Sequence, residues 1–372
     1  MMNNMKSKKV IAVIFGGRSG EHDVSLNSAR SILSVLEENK YDIFPIGIDH
    51  DGIWYSGEDT LEKMIAGNHE GLFEVTILPN PTKAGLYQIS DGKMNLITKP
   101  DVVFPIVHGT YGEDGSLQGL LEMAEIAYVG GGVLGSSVGM DKGVFKDVMK
   151  ANGIPVVDSL LFIRNDINQD PEKAVKKITR KFNFPVFVKP ANMGSSVGIS
   201  KCTNSSDLVE GLLEAARFDR RILVECGINA REIEISILGN DQPIASVPGE
   251  IKPSREFYSY ESKYIDGSSG LQIPAQISEG LAEELKKIAI KAYQAIDCAG
   301  MARVDFFLDN NTGKYYLNEL NTLPGFTDIS MYPKLWQASG KEYRQLVDNL
   351  IELALERKSD RDLSEHKYRS SQ

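Results

Sequence analysis

The stretch Lys9-Val10-Ile11-Ala12-Val13-Ile14-Phe15-Gly16-Gly17-Arg18-Ser19-Gly20, followed by Glu21-His22-Asp23-Val24-Ser25, sets the fold class. Lys9 to Phe15 is apolar and β-branched with no polar alternation, the pattern of a parallel strand covered on both faces. Gly16 to Gly20 is a turn. An amphipathic helix is expected from about Ser25 to Glu38, and Tyr41 to Ile48 reads as the next strand. Strand, loop, helix and strand in that order open a doubly wound sheet.

Outward from that opening, Asp49 to Asp101 is mixed and polar, with turn signals at Asp51-Gly52 and Asp91-Gly92, and reads as strand-and-loop elaboration without chemistry. Val102 to Val107 is a further strand, ending at His108-Gly109. Met140 to Asn152 reads as a helix stopped by Gly153 and Pro155. Phe184 to Lys189 is a strand. Asn192-Met193-Gly194-Ser195-Ser196-Val197-Gly198 is a Gly/Ser loop entering the strand Ile199 to Cys202. Ile222 to Glu225 and Glu232 to Leu238 are strands. Pro248 to Gln272 is long, polar and rich in Tyr and Ser, which suits a mobile lid. Glu279 to Ala299 and Glu342 to Arg357 read as helices.

A chain of 372 residues exceeds one ordinary core. Domains commonly run to roughly 100–200 residues, so two or three are expected. Apolar residues make up 42% and charged residues 25%, the balance of a globular protein in water. No apolar run is long enough for a transmembrane helix. Met1 to Lys9 is polar and basic, and the apolar run after it is too short for a signal peptide. Cys202, Cys226 and Cys298 are few, odd in number and far apart, so neither a disulfide framework nor a zinc site is indicated, which fits a reducing cytosol. The net charge of −10 argues against nucleic acid as a partner, because phosphate backbones need a basic surface.

The chemistry concentrates in Met301 to Asp309 and Lys314 to Asn321, which flank the hairpin turn Asn310-Asn311-Thr312-Gly313. Alternate residues of a strand share a face, so Arg303 goes with Asp305, and Glu319 with Asn321. A turn near Thr312 sets Asp305 beside Glu319. Two carboxylates and a carboxamide, all oxygen donors, suit Mg²⁺ shared with substrate phosphates. The alternative is a solvated hairpin face with one salt bridge.

Separated lysines are the second signal. Lys189 ends an apolar strand just before the Gly/Ser loop, Lys142 opens a helix and Lys263 lies in the lid segment. Backbone N–H groups of Gly194 to Val197 can cradle phosphate oxygens while lysines supply charge. Any one lysine is ordinarily a surface group, but Lys189 continues the buried run Val186-Phe187-Val188. No G-x-x-x-x-G-K-[ST] occurs, so a P-loop is excluded. Gly130, Gly132 and Gly135 spell G-x-G-x-x-G, but a tight interdomain turn explains them better than a dinucleotide site. The five histidines have no metal-site spacing. His108 and Glu21 both follow parallel strands, where open sheets place ligands. A carboxylate there can hold an ammonium group, or each can be a loop residue facing water.

Taken in order, these segments resemble the D-alanine–D-alanine ligase family over nearly the whole chain. Gly16-Gly17 with Glu21 to Ser25, and His108-Gly109 with Gly112-Glu113-Asp114-Gly115, resemble its first two signatures. Met140-Asp141-Lys142, Val188-Lys189-Pro190 and Gly194 to Gly198 are similar to its ATP-binding part. Arg303-Val304-Asp305, Asn318-Glu319-Leu320-Asn321-Thr322 and Pro324-Gly325-Phe326-Thr327 are similar to its metal and oxyanion part.

The resemblance implies an α/β and α+β fold. A Rossmann-like, pre-ATP-grasp domain over 1–130 precedes a two-lobed ATP-grasp fold with lobes at 131–221 and 222–372. The second lobe carries the lid 248–272 and the metal hairpin 301–321. It implies that Glu21 binds the first ammonium and that His108 sits beside that amino acid. Lys142, Lys189 and Lys263 contact ATP phosphates, with Ser195, Ser196 and Val197 in the phosphate loop. Glu225 and Glu232 meet the adenine and ribose ends, and Cys226, Ile228 and Asn318 also contact the nucleotide. Cys226 stands where the family often has Lys or Gln, and a backbone contact tolerates that. Asp305, Glu319 and Asn321 hold two Mg²⁺, with Mn²⁺ as a substitute. Arg303 and the Gly325 N–H stabilise an oxyanion, Ser330 holds the second carboxylate, and Ser195 and Tyr264 link the lid to Glu21. Tyr264 favours D-alanine over D-lactate as the acceptor. The family also implies a homodimer in the cytoplasm, serving peptidoglycan synthesis with D-alanine and ATP as its partners and no membrane or nucleic acid. The rivals are a D-alanine–D-lactate or D-alanine–D-serine ligase, a non-catalytic ATP-binding protein of the same fold, and a nicotinamide dehydrogenase.

Overall fold

An apolar run without polar alternation is stable only between two layers. The computed structural model describes residues 8–194, 197–252, 270–327 and 329–365, and in it Lys9–Gly16 lies inside an eight-stranded sheet. Ile11 to Phe15 are fully buried. Lys9–Gly16 pairs in parallel with Tyr41–Ile48 on one side and Val102–Pro105 on the other, and Val102–Pro105 pairs in parallel with Ala127–Tyr128. The polar stretch after Ile48 extends this sheet with the antiparallel strands Trp54–Ser56, Phe73–Ile77, Leu86–Ser90 and Lys93–Thr98. The first helix is His22–Leu33, starting before the expected Ser25. The Ser25 hydroxyl does not cap it. It accepts from Gly16 N at 2.8 Å and donates to the Ile106 carbonyl, tying two strand ends together.

A second sheet is four-stranded and antiparallel, in the order Ser200–Cys202, Val186–Pro190, Arg221–Cys226, Ser159–Ile163. The helices Pro171–Lys181 and Ser205–Phe218 pack on it through Ile178, Leu208 and Leu212. Asp170 and Asn204 cap their N-termini, Asp170 accepting from the Lys173 N–H and Asn204 from the Ser206 and Asp207 N–H groups. The expected second lobe begins at residue 222, inside the strand Arg221–Cys226. Arg221–Cys226 is paired on both sides within this sheet, so the boundary would cut the sheet through a central strand.

The third sheet runs Gly270–Gln272, Gly249–Lys252, Ala230–Leu238, Met301–Asp309, Tyr315–Asn321. Ile233, Ile235, Ile237, Ala302, Val304 and Phe306 form its apolar side, packed with Leu285, Ala289 and Tyr293 of the helix Glu279–Ala295. Phe145 and Met149 of the helix Lys142–Ala151 join the same core, although sequence order places that helix before the central lobe's strands. A separate helix, Val133–Met140, precedes it. The tight-turn reading therefore fails for Gly135, which lies inside that helix, while Gly130, at φ +95°, precedes it. A Cβ on Gly135 would sit 3.0 Å from the Cys298 Cα, so close helix packing is what that glycine serves.

The helix Tyr343–Arg361 returns to the first domain. Leu346, Val347, Leu350, Ile351 and Ala354 share one core with Ile11, Val13, Val102 and Phe104. Arg357 donates to the carbonyls of Gly130 and Tyr128 and lies 4.2 Å from the Tyr128 ring centroid. The C-terminal segment is thus the cover of the N-terminal sheet. Leu350→Ala is expected to destabilise the protein by about 2–5 kcal/mol, because a fully buried side chain would leave a cavity. Thermal unfolding of the variant measures this, and an unchanged Tm would show that the helix does not stay docked on that sheet.

Candidate active site

Alternation gives the third sheet a polar side opposite its core, and that side lines a cavity of about 290 Å³. Glu234 is in register with Asp305, Asp305 with Glu319, and Arg303 with Asn321. The hairpin spacing predicts the last two pairs. It does not predict the register shift between Asp305 and Phe306. Phe306 pairs with Leu317, which leaves Asn318 as the extra residue of a β-bulge. Strict alternation would turn Leu317 toward the same side as Glu319 and Asn321. The bulge sends Leu317 into the core with Leu320 and lets Asn318 and Glu319 both line the cavity.

Arg303 is held as a fork. Its Nε and Nη2 donate to the two Asp305 oxygens at 2.8 and 2.7 Å, and Glu234 Oε2 lies 3.0 Å from Nε. Burial works against its charge, but Asp305 and Glu234 outweigh that and push its pKa well above the usual value. Asn321 Nδ2 donates to Asp305 Oδ2 at 3.0 Å.

The second sheet supplies the facing wall. Lys189 Nζ lies 2.6 Å from Glu225 Oε2, and Lys146 Nζ lies 2.7 Å from Glu225 Oε1. Burial alone would raise the Glu225 carboxyl, but Lys189 and Lys146 hold it at about 2. Asp141 caps the helix Lys142–Ala151 by accepting from Gly143 and Val144 N–H groups, which fixes Lys142 at the first turn. Lys142 Nζ donates to the Met193 carbonyl at 2.8 Å and lies 3.9 Å from Glu319 Oε2.

The first domain closes the cavity with Glu21 and His108, both buried. His108 Nε2 lies 3.1 Å from Ser28 Oγ, and Nδ1 lies 3.2 Å from the Leu323 carbonyl and 3.7 Å from Glu113. Burial disfavours a charged His108, yet Glu113 and then Glu21 prevail and raise its pKa. The Gly/Ser loop approaches from the central lobe. A Cβ on Gly194 would stand 2.7 Å from Glu21 Oε2, so a larger residue there would displace the Glu21 carboxylate.

Glu225, Cys226, Ile228 and Glu232 line the cavity, as do Lys142, Lys189, Arg303, Asp305, Asn318, Glu319, Asn321 and Gly325. Glu225, expected against the nucleotide, has each carboxylate oxygen engaged by a lysine. Val197 does not line the cavity, and its N–H donates to the Gly194 carbonyl at 3.2 Å. Ser330 stands behind Gly325, with its hydroxyl 3.0 Å from Thr327 N and 2.8 Å from Thr327 Oγ1. Ser195, Ser196, Lys263 and Tyr264 lie outside the described residues.

The sequence reading gave no role to Glu234, Glu113 or Lys146. Glu234 was detectable as the alternate-residue neighbour of Glu232. Lys146 was detectable too, because Lys142, Phe145, Lys146 and Met149 follow the i, i+3, i+4, i+7 spacing of an inward helix stripe. Glu113 belongs to a loop with no periodicity to read.

The lining has seven carboxylates against the three cations Lys142, Lys189 and Arg303, counted among the described residues. Anionic ligands enter such a cavity only with cations of their own. Among the described residues, no three His, Cys, Asp or Glu side chains form a cage by themselves. Asp305, Glu319 and Asn321 bring two carboxylates and a carboxamide to one wall of the cavity, donor types that suit a hard divalent cation sharing phosphate oxygens. The donor set fits Mg²⁺.

Comparison with known proteins agrees over nearly the full length. Residues 10–131 match the family described as D-ala D-ala ligase N-terminus, and residues 148–352 match D-ala D-ala ligase C-terminus. The D-alanine–D-alanine ligase of Natranaerobius thermophilus is 47% identical over 95% of this chain and 96% of its own. That of a Thermoanaerobacter species is 51% identical over 94% and 97%. Among solved structures, the D-alanine-D-alanine ligase from Coxiella burnetii is 38% identical, with a TM-score of 0.81 over 96% of both chains. The VanG D-Ala:D-Ser ligase from Enterococcus faecalis is 37% identical, with a TM-score of 0.83 over 93% of this chain and 99% of its own.

The Glu225 cluster makes a pH prediction. A carboxyl that titrates at about 2 when folded and near about 4.3 when unfolded stabilises the protein fully above the unfolded value. That contribution disappears as pH falls toward 2. At neutral pH, Glu225→Gln should therefore be less stable than the wild type by on the order of a few kcal/mol. The two melting curves should converge as the pH drops through this window. A constant Tm difference across it would contradict an ion-paired Glu225.

Proposed function

The chain belongs to the D-alanine–D-alanine ligase family, and from that premise we propose that it joins two D-alanine molecules at the expense of ATP in the cavity between its sheets. Its fold is the ATP-grasp architecture behind a Rossmann-like domain. The observation that carries the reading is the bulged hairpin. It sets Asp305 beside Glu319 and places Arg303, its fork clamped on Asp305, at the wall of the cavity that Lys142 and Lys189 also line.

A carboxylate is a poor electrophile, so the first D-alanine carboxylate takes the γ-phosphoryl group of ATP and ADP leaves. The amine of the second D-alanine then attacks the acyl carbon, and inorganic phosphate leaves as the amide forms. Phosphoryl transfer depends mainly on positioning and on neutralising charge. Lys142 and Lys189 meet the phosphates. Asp305, Glu319 and Asn321 would hold two Mg²⁺, which supply charge neutralisation and Lewis acidity at the phosphoryl oxygens when bound. Glu21 holds the first ammonium, and its burial beside His108 orients that amino acid. Arg303 and the Gly325 N–H meet the oxyanion of the tetrahedral state, where fixed donors are most effective. Ser330, whose hydroxyl meets Thr327 behind Gly325, holds the carboxylate of the second D-alanine. Exclusion of water matters at this stage, because water would hydrolyse an acyl phosphate.

The same reading carries a homodimer, a cytoplasmic location and a role in supplying peptidoglycan precursors. No helix among the described residues is long and apolar enough to cross a membrane. D-alanine as acceptor is supported by the D-alanine–D-alanine ligases at 47% and 51% identity over nearly the full chain.

Phosphate release from ATP is expected with D-alanine and not with L-alanine, and to be weaker with D-lactate or D-serine added as acceptor. A stronger response to D-serine than to D-alanine would reassign the second subsite. Arg303→Lys should lower kcat by about 10²–10³-fold, nearly as much as Arg303→Ala, because a point charge cannot replace a fork at fixed geometry. A Lys variant that keeps most of the wild-type kcat would reduce Arg303 to the ion-pair partner of Asp305 and Glu234.

A further inference from the structure

Lys146 is the lysine that the site, as described so far, does not use. It is only 2% exposed, sits on the inward stripe of the helix Lys142–Ala151 and does not line the cavity. An ammonium group taken this far from water must have a partner. Its Nζ lies 2.7 Å from Glu225 Oε1 and donates to the Val157 carbonyl at 3.2 Å. The other Glu225 oxygen faces Lys189, which does line the cavity. One carboxylate thus stands between two lysines, one behind it in the protein and one in front of it at the nucleotide wall.

A single Lys189–Glu225 pair would be complete without Lys146, and it would also be locked. Moving the Lys189 ammonium to a phosphate would leave a lone buried carboxylate, which is strongly unfavourable. With Lys146 in place, Glu225 keeps a cation after Lys189 departs. We propose that Lys146 is a positioning residue for nucleotide binding: it holds Glu225 ionised and in place from behind, so that Lys189 can exchange its carboxylate for a nucleotide phosphate. The proposal rests on the reading of this cavity as the ATP site.

The charges around Glu225 come from two elements. Lys146 reaches it from the helix and Lys189 from the neighbouring strand Val186–Pro190, while the residue paired with it on the other side is the neutral Ser159. Lys150, on the same helix, and Lys189 both oppose the charge on Lys146, whereas Glu319 and Glu232 favour that on Lys189. Without Lys146, Glu225 would have to take up a proton whenever Lys189 leaves it. Buried carboxylates without a cation do titrate near or above neutrality.

The test is titration calorimetry of MgADP at pH 7 in buffers of different ionisation enthalpy, which reads affinity and proton uptake together. The wild type should bind MgADP with little proton uptake. Lys146→Met is nearly isosteric and leaves a balanced Glu225–Lys189 pair. It should bind at least about tenfold more weakly, take up a substantial fraction of a proton, and recover affinity as the pH is lowered. Lys146→Gln keeps a donor for the Val157 carbonyl without the charge and should behave in the same way. Uptake of about one proton by the wild type overturns the proposal whatever the variants do. Variants matching the wild type overturn it, as do variants that bind more weakly at all pH values without proton uptake, since that is a packing defect. Failure of the wild type to bind MgADP at all would instead remove the ATP-site reading.

Discussion

Two polar residues, Asn318 and Glu319, stand between Leu317 and Leu320, and a regular strand cannot serve all four. Alternation would bury one of the polar pair or expose one of the leucines. The bulge opposite Asp305 and Phe306 resolves the conflict, with both leucines in the core and both polar residues at the cavity. The rest of the site is organised around that shift. The register that survives on the near side of the bulge places Asp305 against both Glu319 and Glu234, and Arg303 against Asn321. The apolar side of the same strands packs on the helix Glu279–Ala295 and on Phe145 and Met149, so the polar side inherits the rigidity of a core.

That rigidity holds charges that would be unfavourable elsewhere. Arg303 is anchored by Glu234 and Asp305, and Glu225 by Lys146 and Lys189, each in a buried setting. Buried ion pairs are weak contributors to net stability, because desolvation offsets most of their attraction. Their value here is geometric. Planar forks and clamped carboxylates are fixed dipoles that need little reorganisation to meet a charge. The excess of carboxylates over cations also means that the cavity is electrostatically incomplete until cations enter with the phosphates.

The three sheets meet at the cavity, and specific contacts keep them in register. His108, from the first sheet, touches the Leu323 carbonyl beside Gly325, and the Phe326 N–H reaches Ser28 Oγ at 3.4 Å. Gly194 brings the central loop to Glu21, and the terminal helix lies on the first sheet with Arg357 bridging to Tyr128 and Gly130. Glu21 and His108 of the first domain and the loop that carries Gly325 are therefore held together by the C-terminal segment.

Local pattern by itself determined much of this. The apolar run Lys9–Gly16, the helix after it, the strand Tyr41–Ile48 and the hairpin around Asn310 to Gly313 were legible because each follows from the period of side-chain burial or from turn chemistry. Asp305 beside Glu319 followed from the same arithmetic. The tertiary structure decided what depends on partners distant in sequence. Arg221–Cys226 is a strand in any reading, but only pairing with Val186–Pro190 and Ser159–Ile163 assigns it to the central sheet. The terminal helix carries no mark of the sheet it covers. Lys146 looks like any helix lysine until Glu225, 79 positions later in the chain, is folded against it. Periodicity records which side of an element is buried. It does not record what that side is buried against, because that is fixed by the packing of whole layers.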